Sequence, residues 1–160
     1  MAVDMFLKLE GIKGESVDHK HKDEIDVLSW SWGMSQSGTT HMGPGGGAGK
    51  VSVQDLSVTK WVDAATPNLM LFCATGKHIP SATLTVRKAG DKPLEYLIIT
   101  MKDVLVTSTS TGGSGGEDRL SENVTLNFSQ VKTAYSAQKA DGSGAPAVEM
   151  AFDIAKNTKA

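Results

Sequence analysis

Apolar residues fall on alternate positions through most of this chain, and a two-residue period predicts strands. Met5, Leu7 and Leu9 share one face of a first strand, and Ile25 to Trp32 forms a second, rich in β-branched and aromatic residues. On that second strand Trp30 and Trp32 fall with Leu28, while Ser29 and Ser31 fall on the opposite face with Val27. Small hydroxyls stand where bulk water would ordinarily meet charge, which fits a crowded or enclosed polar surface. Val51 and Val53 keep one parity, then Leu56, Val58 and Val62 take the other, so a bulge or break is expected near Gln54-Asp55. Ala82, Leu84 and Val86 alternate with Thr83, Thr85 and Arg87 as a strand with one wet face.

Leu94 to Thr107 differs. Leu94, Tyr96 and Ile98 occupy one face and Leu97, Ile99, Met101 and Leu105 the other, so both faces need cover. Val124, Leu126 and Phe128 mark a further strand, and Val148, Met150, Phe152 and Ile154 a last one. The sum, roughly seven strands or more, is that of a barrel or sandwich.

One segment, about 66–76, is helical: Thr66 suits the cap, Pro67 the first turn and Gly76 a left-handed stop. Its body is apolar nearly all round, so one side can pack on the sheet while the other predicts a subunit contact, with Leu69 and Phe72 as candidates.

At 160 residues the chain is expected to form a single domain, 1–160. A net charge of −2 offers no basic patch for nucleic acid or anionic lipid, and no apolar run approaches a membrane span. The start, Met1-Ala2-Val3-Asp4, lacks the form of a signal peptide, so synthesis in the cytoplasm and any export by another route are expected. Cys73 is the sole cysteine, which excludes an intrachain disulfide and a cysteine-based metal site.

Two glycine-rich runs imitate catalytic motifs. Gly43 to Lys50 looks like a phosphate-binding loop, but Pro44 stands at its first glycine, Val51 replaces the magnesium-binding hydroxyl, and a strand pattern follows where a helix is required. Gly112-Gly113-Ser114-Gly115-Gly116 satisfies the nucleophile-elbow pattern, yet Leu120 to Phe128 after it reads as a strand. His19 and His21, flanked by Lys20 and Lys22, read as a solvated charged loop and not as metal ligands. His41 and His78 have no readable carboxylate partner, and Asn123-Val124-Thr125 is a formal glycosylation sequon on a strand. No catalytic residue, cofactor or metal is expected.

Several of these stretches, in order along most of the chain, carry a resemblance. Gly33 to Ser37, His41 to Lys50, Val53 to Ser57, Thr66 to Met70 and above all Gly112 to Phe128 resemble the haemolysin-coregulated proteins (Hcp) of type VI secretion systems. Asp18 to Lys22 and the tail from Gln138 match least. The resemblance implies a mainly β fold, a β-barrel of two antiparallel-rich sheets with one short flanking helix, assembled as a homohexameric ring. Such rings stack into the inner tube that a contracting sheath drives outward, with sheath, spike and baseplate proteins as partners. The subunit starts in the bacterial cytoplasm, is secreted on firing, and can hold small effector proteins in its lumen.

By the same resemblance Ser31 would face the lumen and touch cargo. Gln36, His41, Met42, Gly43, Gly45, Gly46, Gly47 and Lys50 would belong to a loop reaching a neighbouring subunit or ring. Glu117, Asp118 and Arg119 would make polar contacts at a ring face. The competing readings are a monomeric β-sandwich that binds a ligand such as carbohydrate, for which nine aromatic residues leave little platform, and a small hydrolase using Ser114.

Overall fold

Strand-forming segments persist only where each finds a partner edge and a covered face. The computed structural model describes residues 2–38, 41, 43 and 49–160. Its elements are β1 Val3–Leu9, β2 Ile25–Ser31, β3 Met34–Ser35, β4 Ser52–Val53, β5 Leu56–Trp61, α1 Thr66–Thr75, β6 Ile79–Lys88, β7 Leu94–Gly112, β8 Ser121–Tyr135, β9 Val148–Asp153 and β10 Thr158–Lys159. The strands pair antiparallel in the order β8-β5-β2-β1-β6-β7, and β7 pairs again with β8. The result is a closed six-stranded barrel, which removes the exposed edges an open sheet would leave. The long strand β8 gives Ser121–Leu126 to β5 and Gln130–Tyr135 to β9, so β9 and β10 flank the barrel. A separate ribbon of β3 and β4 brings together the two ends of the segment that contains the first glycine-rich run.

The core follows the predicted alternation. Leu7 and Leu9 of β1, Leu56 and Val58 of β5, Leu84 of β6, and Val124, Leu126 and Phe128 of β8 are all buried in one cluster. The phase change near Gln54-Asp55 is the break between β4 and β5.

In β6 the face expected to be wet is covered, with Thr85 and Arg87 buried, and two more strands depart from the expected faces. In β2 the register against β5 slips between Val27 and Ser29. This bulge turns Val27 inward, opposite Lys60, and pushes Leu28 outward, so Leu28 does not share the face of Trp30. In β7 the buried positions are Ile99 and Met101, then Val104 and Val106. The inward parity changes at Asp103, whose φ of 54° lies in the left-handed region, and Leu105 is therefore not on the face of Met101. Alternation counted along the sequence cannot detect either event.

Helix α1 ends as expected, with Gly76 at φ 70° donating its N–H to the Phe72 carbonyl. Its start is different. Ala65 is the N-cap and makes no side-chain cap, while the Asp63 carboxylate accepts the Ala65 N–H at 2.9 Å and Thr66 is already helical. Leu69 is buried in the chain's own core at 1% exposure, so the outward apolar side of α1 comes from Met70 and Leu71. Phe72 is half-buried beneath the Lys77 ammonium.

Candidate functional site

The outer face of β2, β5, β8 and the end of β7 is paved with short polar side chains. Register pairs set Ser29 opposite Thr59 and Ser31 opposite Ser57. Further round the barrel Ser57 lies opposite Thr125, Thr59 opposite Asn123, and Ser110 opposite Asn123 on the other edge of β8. The groups bond to one another across strands: Thr59 Oγ1 donates to Asn123 Oδ1 at 2.7 Å, and the Thr107 and Ser108 hydroxyls each meet Thr125 Oγ1, at 2.7 and 2.6 Å. Asp55 braces this face by accepting from Thr107 Oγ1 at 2.7 Å and from Asn127 Nδ2 at 2.9 Å. Ser31 is exposed on it.

The loop between β7 and β8 borders the same face. Glu117, Asp118 and Arg119 line a groove with Leu28, Thr59 and Trp61, and the Arg119 guanidinium sits 4.7 Å from the centre of the Trp61 ring. Ser114 lies in this loop between two strands, as its context predicts, and its hydroxyl accepts the Gly116 N–H at 3.4 Å. Gln36, His41, Gly43 and Lys50 are exposed. Gly43 has φ 93°, a conformation that favours glycine. Met42, Gly45, Gly46 and Gly47 lie outside the described residues.

On the inner side of β5 and β8 a polar cluster interrupts the core. Lys60 and Glu122 are buried and bonded to each other. Lys60 Nζ also donates to Asp63 Oδ1 and to the Trp61 carbonyl, both at 2.8 Å. Glu122 further accepts from Thr66 Oγ1 at 2.6 Å and from Thr111 Oγ1 at 3.0 Å. Burial alone would push the Glu122 carboxyl up, but the Lys60, Thr66 and Thr111 donors hold it below the usual range. Because Thr66 opens α1, this cluster ties the helix to the barrel. The signal for it was present: Lys60 and Glu122 each occupy a position of apolar parity, beside Val58 and Val124.

The segment 13–24 is a strap over the outside of β1, solvated as expected at His19, Lys20 and Lys22 but not at His21. His21 is buried, stacked on Phe6 with ring centres 4.4 Å apart, and its Nδ1 and Nε2 lie 2.9 Å from Glu24 and 2.7 Å from Glu95. Arg87 binds Asp18 at 2.6 and 3.0 Å and Asp4 at 3.1 Å. The Arg87 guanidinium holds the Asp18 carboxyl well below the usual carboxylate range, and Asp18 in turn raises Arg87. A Cβ on Gly14 would stand 2.5 Å from the Glu24 carbonyl oxygen, so the strap closes only because residue 14 has none. His78 pairs with Asp103 in the open, at 2.7 Å. Among the described residues no cluster of three or more His, Cys, Asp or Glu could hold a metal, and no helix is long and apolar enough to cross a membrane.

Comparison with known proteins agrees with this architecture. The family model described as "Type VI secretion system effector, Hcp" matches residues 6–135. Protein hcp1 of Pseudomonas aeruginosa is 64% identical over 163 aligned positions, covering 100% of both chains. The crystal structure of Hcp1 from Salmonella typhimurium superposes with a TM-score of 0.82 at 45% identity, covering 100% of both chains. A structure described as a type six secretion system protein reaches a TM-score of 0.92 at 32% identity, covering 99% of this chain and 100% of the other. The chain therefore belongs to the Hcp family of type VI secretion tube proteins, a family that is structural and not enzymatic.

Proposed function

We propose that this chain is the repeating subunit of a type VI secretion tube, acting as a single domain in homohexameric rings whose lumen is walled by the hydroxyl-rich outer face of β2, β5, β8 and β7. The carrying observation is that face. An outer barrel surface in bulk water ordinarily bears many Lys, Glu and Asp, whereas Ser29, Ser31, Ser57, Thr59, Asn123 and Thr125 present short neutral groups, with Thr59 bonded to Asn123 and Thr125 to Thr107 and Ser108. Such a wall passes cargo without holding it by charge, and Ser31 is placed to touch what passes.

The exposed Met70 and Leu71 of α1 and the segment from Gln36 to Lys50 supply contacts between copies. Sheath, spike and baseplate proteins are the outer partners, and the subunit leaves the cytoplasm with the tube. Size-exclusion chromatography with light scattering tests the assembly. A mass near six times the 16.9 kDa chain, with rings in negative-stain images, is expected. A stable monomer at micromolar concentration overturns it in favour of a monomeric binding module.

A further inference from the structure

The bulge in β2 has a chemical result that the fold does not need. It turns Leu28 out, 39% exposed, onto a surface otherwise made of hydroxyls and amides. Trp61 stands beside it on the outward side of β5, half-buried beneath Arg119. Together they floor a shallow groove of about 500 Å³ at the edge of the polar face.

The rim of this groove is acidic. Arg119 is engaged with the Trp61 ring, while Glu117 and Asp118 form no ion pair among the described residues. Two carboxylates, Glu117 and Asp118, against one guanidinium leave the groove negative, so a guest bringing positive charge is favoured and an acidic one is not.

We propose that the groove of Leu28 and Trp61 is a cargo subsite that takes an aliphatic side chain flanked by lysine or arginine on a passenger protein. The aliphatic group covers Leu28 and the free edge of Trp61, and the ammonium or guanidinium reaches Glu117 and Asp118. Each contact is weak alone, but the groove recurs once per subunit, and a passenger meeting several copies gains by their number. The subsite rests on the lumen reading above. It separates cargo by charge where the neutral wall does not.

The test uses assembled rings and two fluorescein-labelled peptides, one with a leucine between lysines and one with a leucine between glutamates, read by polarisation. The lysine peptide is expected to bind and the glutamate peptide to bind at least about threefold more weakly, with the gap shrinking as salt is raised. Leu28→Ser is expected to weaken the lysine peptide by about fivefold. Glu117→Gln with Asp118→Asn is expected to abolish the preference between the peptides, with ring formation unchanged. Equal binding of both peptides, no binding of either, or loss of ring stacking instead of peptide binding in the Glu117/Asp118 variant overturns the proposal. A separate arm labels Ser31→Cys in a Cys73→Ser background with maleimide gold. Gold at the ring's outer rim overturns the lumen reading even where the peptides bind, and gold at its centre with no peptide preference overturns only the subsite.

Discussion

Thr59 and Lys60 are consecutive residues of β5, and each faces its partner across the ladder on β8: Thr59 opposite Asn123, Lys60 opposite Glu122. One pair lies on the outer wall of the barrel and the other inside it. Outside, Thr59 and Asn123 share one hydrogen bond and meet solvent, so either group can trade its partner for water at little cost. Inside, every polar atom of the Lys60-Glu122 cluster depends on a protein partner, because no water replaces one that is lost. A shift of one residue along a strand thus separates a surface that tolerates exchange from a knot that does not. The cargo contact proposed for the outer face needs the first property, and attachment of a helix needs the second.

The largest effect expected from breaking this contrast is at Lys60. Lys60→Met leaves the buried Glu122 carboxylate without its cation and is expected to cost about 3–5 kcal/mol of stability, read as a fall in urea midpoint. Lys60→Met with Glu122→Leu removes both charges and should recover much of that loss. If the double variant is as unstable as the single, the cluster acts through packing and not charge. Thr59→Ala is expected to stay within about 0.5 kcal/mol of wild type.

Acid sharpens the same comparison. The folded-state pKa of Glu122 is lowered, so its contribution to stability is present above the unfolded carboxylate value and is lost as pH falls through the folded one. The stability gap between wild type and Glu122→Gln should therefore be widest near neutral pH and narrow below about pH 4. Asp18, also lowered, titrates in both proteins and cancels from the difference. A gap that stays constant through the acid range would show that the Glu122 charge carries none of the effect.

The contrast also shows how far the sequence could be read. Alternation located the core faces of β1, β5 and β8, because a strand with one covered side must alternate, and Pro67 and Gly76 bounded the helix through backbone preferences that act locally. The outward turn of Leu28 and the parity change at Asp103 were not legible, since the first depends on a register slip against β5 and the second on a left-handed backbone at a non-glycine residue. His21 was hidden for another reason: its partners Phe6 and Glu95 come from distant segments, and a loop of Lys, Asp and His has the composition of a solvated one. At the candidate site, Ser31 was identified through family resemblance and its polar neighbours through alternation. The Leu28-Trp61 groove required the bulge.

The smallest expected effect on folding, and the most specific on function, comes from Ser31→Gln. Ser31 is exposed and pairs with Ser57 through the backbone ladder, so the longer side chain extends outward and disturbs neither the core nor the Lys60 knot. Its urea midpoint should match wild type, within about 0.5 kcal/mol of stability, and rings should form. On the proposed lumen reading, a wall of short side chains becomes a wall with a projecting amide repeated around the ring, which narrows the channel and replaces a small hydroxyl. Retention of co-expressed small cargo should fall while tube assembly persists, read by cargo co-purifying with rings against rings counted in micrographs. Unchanged cargo levels would remove Ser31 from the contact surface, and loss of rings would mean that this position of β2 belongs to a subunit contact.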